Sequence, residues 1–130
     1  MILANPAPMK NILLSTFLLF AINSQAQTDA FDDIAKQIKA GSAAGLSGHF
    51  NSSLELSIGD NDEAYSKSQA EMIAKDFFTK NLPKNFTINH KGSSGASTRY
   101  ANGVYESSTG NFKVYILIKG NVINELRFER

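Results

Sequence analysis

TRYANGVYESSTGNFKVYILIKGNVINELRF, running from Thr98 to Phe128, alternates apolar and polar residues through three runs broken at Gly110 and at Gly120-Asn121. A period of two between turn residues predicts three antiparallel strands, Thr98–Ser107, Phe112–Lys119 and Val122–Phe128. Cross-strand partners share a face, so loop length decides which side chains go inward. Phe112, Val114, Ile116 and Ile118 meet Val122, Leu126 and Phe128 only across a loop of odd length, and three residues around Gly120 satisfy this. Gly120 to Val122 would pair Lys113 with Glu129, whereas Lys119 to Asn121 spares a valine from positive φ; both stay open. Either way, Tyr115, Leu117 and Ile123 face outward. For the preceding hairpin, a four-residue loop from Ser108 to Asn111 sets Glu106 opposite Lys113 outside and turns Ala101, Gly103 and Tyr105 inward. A three-residue loop would bury Glu106, at the cost of an unpaired carboxylate. A bulge at Asn102-Gly103 is the alternative that would flip the faces beyond it.

Upstream, Phe86 to His90 reads as a further strand with His90 in phase with Phe86 and Ile88. Before it, Ser66 and Gln69 form a capping box for a helix whose apolar stripe is Ala70, Ile73, Ala74, Phe77 and Phe78, stopped by Asn81 and Pro83. Leu54, Leu56 and Ile58 alternate with Glu55 and Ser57 as a half-buried strand, and Gly59 to Asp62 turns the chain. The acids of Asp60 to Glu63 lack the spacing of a calcium loop and read as a solvated turn. Phe31, Ile34, Ala35 and Ile38 mark a first helix with Asp29, Asp32 and Asp33 in its first turn and Gly41 as its left-handed cap. Ser42 caps a short second helix reaching about Gly48. Helices followed by a strand meander predict an α+β fold, with N-terminal helices on the concave face of a curved, mainly antiparallel sheet.

Residues 1–26 read as a secretory signal peptide: Lys10, an apolar run from Ile12 to Ile22, then Ser24-Gln25-Ala26. Met9-Lys10 is the more usual signal start, so residues 1–8 read as a mis-called extension. The apolar run of eleven residues, interrupted only by Ser15 and Thr16, falls short of the roughly 20 that cross a bilayer as a helix. Cleavage after Ala26 leaves a single domain, residues 27–130, in the periplasm or outside the cell. Thirteen basic residues against twelve acidic ones lose one lysine with the leader, so the mature chain carries twelve of each. A neutral chain gives no electrostatic case for nucleic acid. The absence of cysteine removes disulfides, a lipid-acceptor cysteine and thiolate metal sites.

The element order, the Tyr65-Ser66-Lys67-Ser68-Gln69-Ala70 entry into the Phe77-Phe78 helix, and the closing Ile123-Asn124-Glu125-Leu126-Arg127-Phe128 strand resemble the nuclear transport factor 2-like superfamily, the SnoaL-like or cystatin-like α+β cone. More narrowly, the chain resembles an uncharacterised family of small secreted bacterial proteins with that fold, across Thr28 to Arg130. The resemblance implies a curved sheet wrapped around the long helix into a cone whose open end can hold a small molecule. Members include isomerases, cyclases, dehydratases and nonenzymatic binding proteins, so fold alone does not choose among them.

Catalysis of the isomerase or dehydratase type needs an acid or base inside the cone. Glu55, Glu125 and Glu129 alternate with inward apolar residues and belong outside, and Asp76 reads as a solvated helix acid. His49 and His90, with no acid at ligand spacing, make no metal site. The sequence supports a noncatalytic domain that binds a small apolar ligand or a protein, with no cofactor and no catalytic residue assigned; a small-molecule isomerase or dehydratase is the alternative. His90, Arg99, Gly103 and Tyr105 are the candidate ligand-binding residues, Gly103 leaving room and the others supplying polar contacts. A homodimer through Tyr115, Leu117 and Ile123 on the outer sheet face is the candidate protein contact.

Overall fold

A computed structural model describes residues 29–130; the signal peptide expected over residues 1–26, with its expected cleavage after Ala26, lies outside the described residues. Helices α1 (Ala30–Ala40) and α2 (Ala43–Ser47) lead into strands β1 (Phe50–Ile58) and β2 (Asn61–Ser66). Helix α3 (Lys67–Lys80) follows, then β3 (Pro83–Ser93), β4 (Thr98–Ser107), β5 (Gly110–Lys119) and β6 (Val122–Glu129). The strands form one sheet in the order β2-β1-β6-β5-β4-β3. Every neighbouring pair is antiparallel except β1 with β6, which puts Leu56 beside Leu126 and Ile58 beside Phe128 in parallel. The fold is the expected α+β layout of helices against a curved, open sheet.

The helix ends follow the local chemistry of the sequence. Asp29 caps α1 by accepting the Phe31 N–H, and Gly41 closes it at φ 66°. A side chain at Gly41 would also place its Cβ 2.9 Å from Pro83 Cγ, so both backbone twist and close approach require glycine there. Ser42 Oγ accepts the Gly45 N–H at 3.0 Å to start α2. Both halves of the Ser66–Gln69 capping box are formed at α3.

Strand registers depart from the sequence reading in four places, each with a physical cause. The turn after β1 is only Gly59-Asp60, and Asn61 onward pairs with β1 as β2. This edge strand is almost wholly exposed, so it lacks the apolar alternation that reveals a strand, and its acids protect the free edge. At β4–β5 the turn has two residues, Ser108 and Thr109, which sets Glu106 opposite Asn111 instead of Lys113. Two residues and four leave the same face inward, so Ala101 and Tyr105 are buried as expected. At β5–β6 the turn is also two residues, Gly120-Asn121, with Gly120 at φ 64°.

The odd residue required by the two apolar faces appears instead as a bulge at Asn124: Ile118 faces Ile123, yet Leu117 faces Glu125. Lys113 does pair with Glu129. Below the bulge, Ile123 becomes fully buried while Val122 is 36% exposed, the reverse of the expected placement. Asn124 is satisfied there, accepting from Asn51 Nδ2 at 3.1 Å and donating to the Val122 carbonyl at 3.2 Å. A second bulge, at Asn89, puts Ile88 opposite Gly103 but His90 opposite Asn102. It turns His90 from the expected apolar face to the outer, exposed one.

The core is one cluster between α1, α2, α3 and the inner sheet face, containing Phe77, Ile116 and Leu126 together. Ser47 Oγ donates to Glu71 Oε1 at 2.9 Å and ties α2 to α3 across its margin.

Candidate functional site

The four residues singled out in the sequence occupy three separate environments. Tyr105 is fully buried, and its hydroxyl donates to the Asn81 carbonyl at 2.7 Å, joining β4 to the end of α3. Burial pushes its phenol up to about 12, which keeps it a proton-bearing donor near neutrality. Gly103 shares that inner face, but the space above it is taken: an added Cβ would lie 2.5 Å from the Thr87 carbonyl oxygen and 3.0 Å from the Phe86 ring. His90 stands outside, its Nε2 3.5 Å from the Tyr100 hydroxyl.

Arg99 is engaged at the start of α1. Its Nη2 donates to Asp29 Oδ1 at 2.7 Å while Lys91 Nζ reaches Asp29 Oδ2 at 3.1 Å. Both cations also lie over the Phe31 ring, the guanidinium at 5.1 Å and the ammonium at 5.7 Å. The Arg99 hydrogen bond above all, helped by Lys91 and the Phe31 N–H and opposed by partial burial, holds the Asp29 carboxyl down to about 2 from 3.8. A folded-state value below the unfolded one means stability that is present above about pH 4 and is lost as pH falls through about 2. Asp29→Asn keeps a competent N-cap and removes only the charge. Its melting temperature is therefore expected to fall less than the wild type's between pH 4 and pH 2, with thermal melts at stepped pH as the check.

The cone's interior is filled by aromatic rings. Phe77 lies 4.4 Å from Phe128, 5.1 Å from Phe112, 5.6 Å from Tyr105 and 5.7 Å from Phe78, centroid to centroid. Among the described residues the buried polar side chains outside this set are Ser47, Ser57 and Ser107, so no carboxylate or imidazole sits in the interior. No described group of three His, Cys, Asp or Glu is placed to hold a metal ion.

The outer sheet face gathers what the interior lacks. Tyr100 and Tyr115 stack at 6.2 Å with 25° between their planes. The Tyr100 ring lies directly over Gly92, where an added Cβ would meet it at 2.4 Å, so this glycine makes room for an aromatic from the next strand. Arg127 lies 5.8 Å above the Tyr115 ring and is held by Glu125. Tyr100, Tyr115 and Leu117, with Ser94, Thr98 and Lys119, line a shallow cleft of about 560 Å³. Leu117 and Tyr115 were legible as outward residues from strand parity; Tyr100 as their partner, over Gly92, was not. A second cleft is lined by Asp60, Asn81, Phe112 and Arg130, none of which carried a sequence signal for binding.

A family model described as "Domain of unknown function (DUF4783)" matches residues 31–129. No curated protein matches the chain. Among solved structures, a DUF4783 family protein from Bacteroides ovatus is 25% identical with a TM-score of 0.71, covering 75% of this chain and 92% of its own. One from Bacteroides fragilis is 22% identical with a TM-score of 0.70, covering 75% and 95%. An NTF-2 like protein of unknown function from Shewanella oneidensis is 11% identical with a TM-score of 0.61, covering 78% and 93%, a likeness of fold alone. No helix among the described residues is long and apolar enough to cross a membrane. The match over nearly all of the folded region, on a cone-shaped sheet of this order, makes the chain a member of the DUF4783 family, with an NTF2-like fold.

Proposed function

We propose that the protein is an exported, noncatalytic binding module that works through the outer face of its sheet, with a second copy of the chain as the occupant. The observation that carries this reading is the filled interior: five aromatic rings occupy the cone, and no carboxylate or imidazole among the described residues is buried there. An isomerase or dehydratase of this fold would need such a group against its substrate.

The outer face, by contrast, has an apolar patch in Tyr100, Tyr115 and Leu117 beside the mixed charges of β6, with one opposite-charge pair across the strands. On adjacent strands Lys113 sits beside Glu129, Tyr115 beside Arg127 and Leu117 beside Glu125. A two-fold axis running along the strands between β5 and β6 would lay β5 of one copy over β6 of the other. The same pairs would then face each other between copies, with Lys113 against Glu129 and Tyr115 against Arg127. Such self-complementarity is what an isologous contact requires.

Leu117→Glu puts a carboxylate into the centre of that contact beside Glu125, from both copies at once. Like charges juxtaposed in an interface cost several kcal/mol, so dimer affinity is expected to fall by about 100-fold or more while the fold survives. Sedimentation equilibrium should show mass rising with concentration for the wild type and a monomer for the variant. A wild type that stays monomeric at high micromolar concentration, or a variant that associates equally well, overturns the proposal.

A further inference from the structure

We infer that self-association through the outer sheet face is controlled by protonation of His90, so that two copies hold together more tightly in mild acid than at pH 8. The inference rests on the two-fold contact proposed for that face and adds to it a control by pH.

Sheet order puts opposite charges against each other. The strands run β2-β1-β6-β5-β4-β3, so an axis that lays β5 over β6 also lays β4 over β1 and β3 over β2. On the β6–β1–β2 half, Glu125 and Glu129 flank Arg127. Glu55 and Asp62 stand beside them on β1 and β2, with no cation within 4.0 Å among the described residues. On the β5–β4–β3 half, Lys113, Lys119 and His90 point the same way, and Glu106 at the far end accepts from Asn85 Nδ2 at 3.2 Å. Each half thus meets the half that complements it. Histidine is the member of the basic half whose charge changes between about pH 5 and pH 8.

Register places His90 within this frame. His90 pairs with Asn102, Asn102 with Tyr115, Tyr115 with Arg127, Arg127 with Ser57 and Ser57 with Asp62, one residue from every strand. The two-fold axis maps this row onto itself end for end, which sets His90 toward the partner's Asp62. In the next row Tyr100, Leu117, Glu125 and Glu55 are neighbours, so Tyr100 meets the partner's Glu55. Toward the edges of a curved sheet such charges attract across a gap, over the roughly 10 Å that 0.1 M salt allows.

Within one copy no carboxylate among the described residues lies within 4.0 Å of His90. Its Nε2 is 3.5 Å from the Tyr100 hydroxyl, the two rings are 5.8 Å apart, and Asn102 beside it is neutral. Helix α1 packs on the other face of β3, where Asp29 and Asp32 face the Lys91 ammonium at 3.1 Å and 3.9 Å. An imidazolium is attracted by the partner's acids and a neutral imidazole is not. Association therefore takes up protons at two symmetric sites and tightens as pH falls.

Sedimentation equilibrium at about pH 8 and about pH 5.5 is the test. Wild-type association is expected to tighten by about tenfold between them, each of the two sites contributing a few-fold. His90→Gln, at an exposed position, should associate as the wild type does at pH 8 and lose the gain in acid. Glu55→Gln combined with Asp62→Asn should lose the same gain from the other side of the contact. His49→Gln should keep it, because His49, the chain's other histidine, faces Asp33 at 3.6 Å on the helix side. Equal wild-type association at both pH values, or a gain that persists in His90→Gln, overturns the control by pH and leaves the two-fold contact standing. A wild type that is monomeric at high micromolar concentration at both pH values overturns the two together.

Discussion

Replacement of Phe77 by alanine is expected to destabilise the protein by about 3–5 kcal/mol, a large part of the 5–15 kcal/mol that a domain of this size commonly has. The ring is 3% exposed and is the hub of the interior, contacting Phe78, Tyr105, Phe112 and Phe128 at once. Its neighbours are large and hold one another edge to face, so they cannot collapse into the vacated space. Denaturant unfolding of the variant is the measurement. A loss below about 1 kcal/mol would mean that the helix stripe is not what fills the cone.

Gly103→Leu is expected to lower the melting temperature sharply, for the opposite reason. The first atom of the new side chain would lie 2.5 Å from the Thr87 carbonyl oxygen, a backbone atom, and 3.0 Å and 3.1 Å from the Phe86 ring. A ring edge can rotate away, but the Thr87 backbone is held by β3–β4 pairing and can yield only if the sheet edge moves. Overpacking of this kind costs about 1–3 kcal/mol, and more where backbone must shift. A variant that melts as the wild type does would show open space above Gly103, and a ligand pocket in the cone's interior would follow.

The same glycine shows what the sequence reveals and what it hides. Strand parity places Gly103 on the inner face, and it is there; parity is silent on whether Phe86 lies over it, because that depends on how β3 coils across β4. Helix limits were legible almost to the residue at Gly41, Ser42 and Ser66, where capping chemistry is local. Bulges were not. Asn89 and Asn124 each shift one strand by a residue, and only the Asn124 shift goes with a two-residue turn that the sequence read as three. One such shift moved His90 outside and the other exchanged Ile123 with Val122. Strand β2 is hidden in the sequence because an exposed edge strand carries no apolar period.

Arg99 was named as a candidate, but its partner, like that of Arg130, was hidden for a different reason. Each acts on an element distant in sequence, Arg99 on the Asp29 cap and Arg130 on the Thr109 turn, and no periodicity links such pairs. The outer face was legible in part: Tyr115 and Leu117 follow from alternation within a single strand, but Ile123, expected beside them, is buried by the Asn124 bulge. Their aromatic partner Tyr100 needed the sheet.

Backbone amide shifts of the wild-type protein, recorded from low micromolar to high micromolar concentration, test the outer-face proposal most directly. Concentration-dependent shifts are expected to map to Tyr100, Lys113 to Leu117 and Glu125 to Glu129, with Asp60, Asn81 and the helices unmoved. Spectra that do not change with concentration, or changes confined to the helix side around Met72 and Leu82, would contradict it.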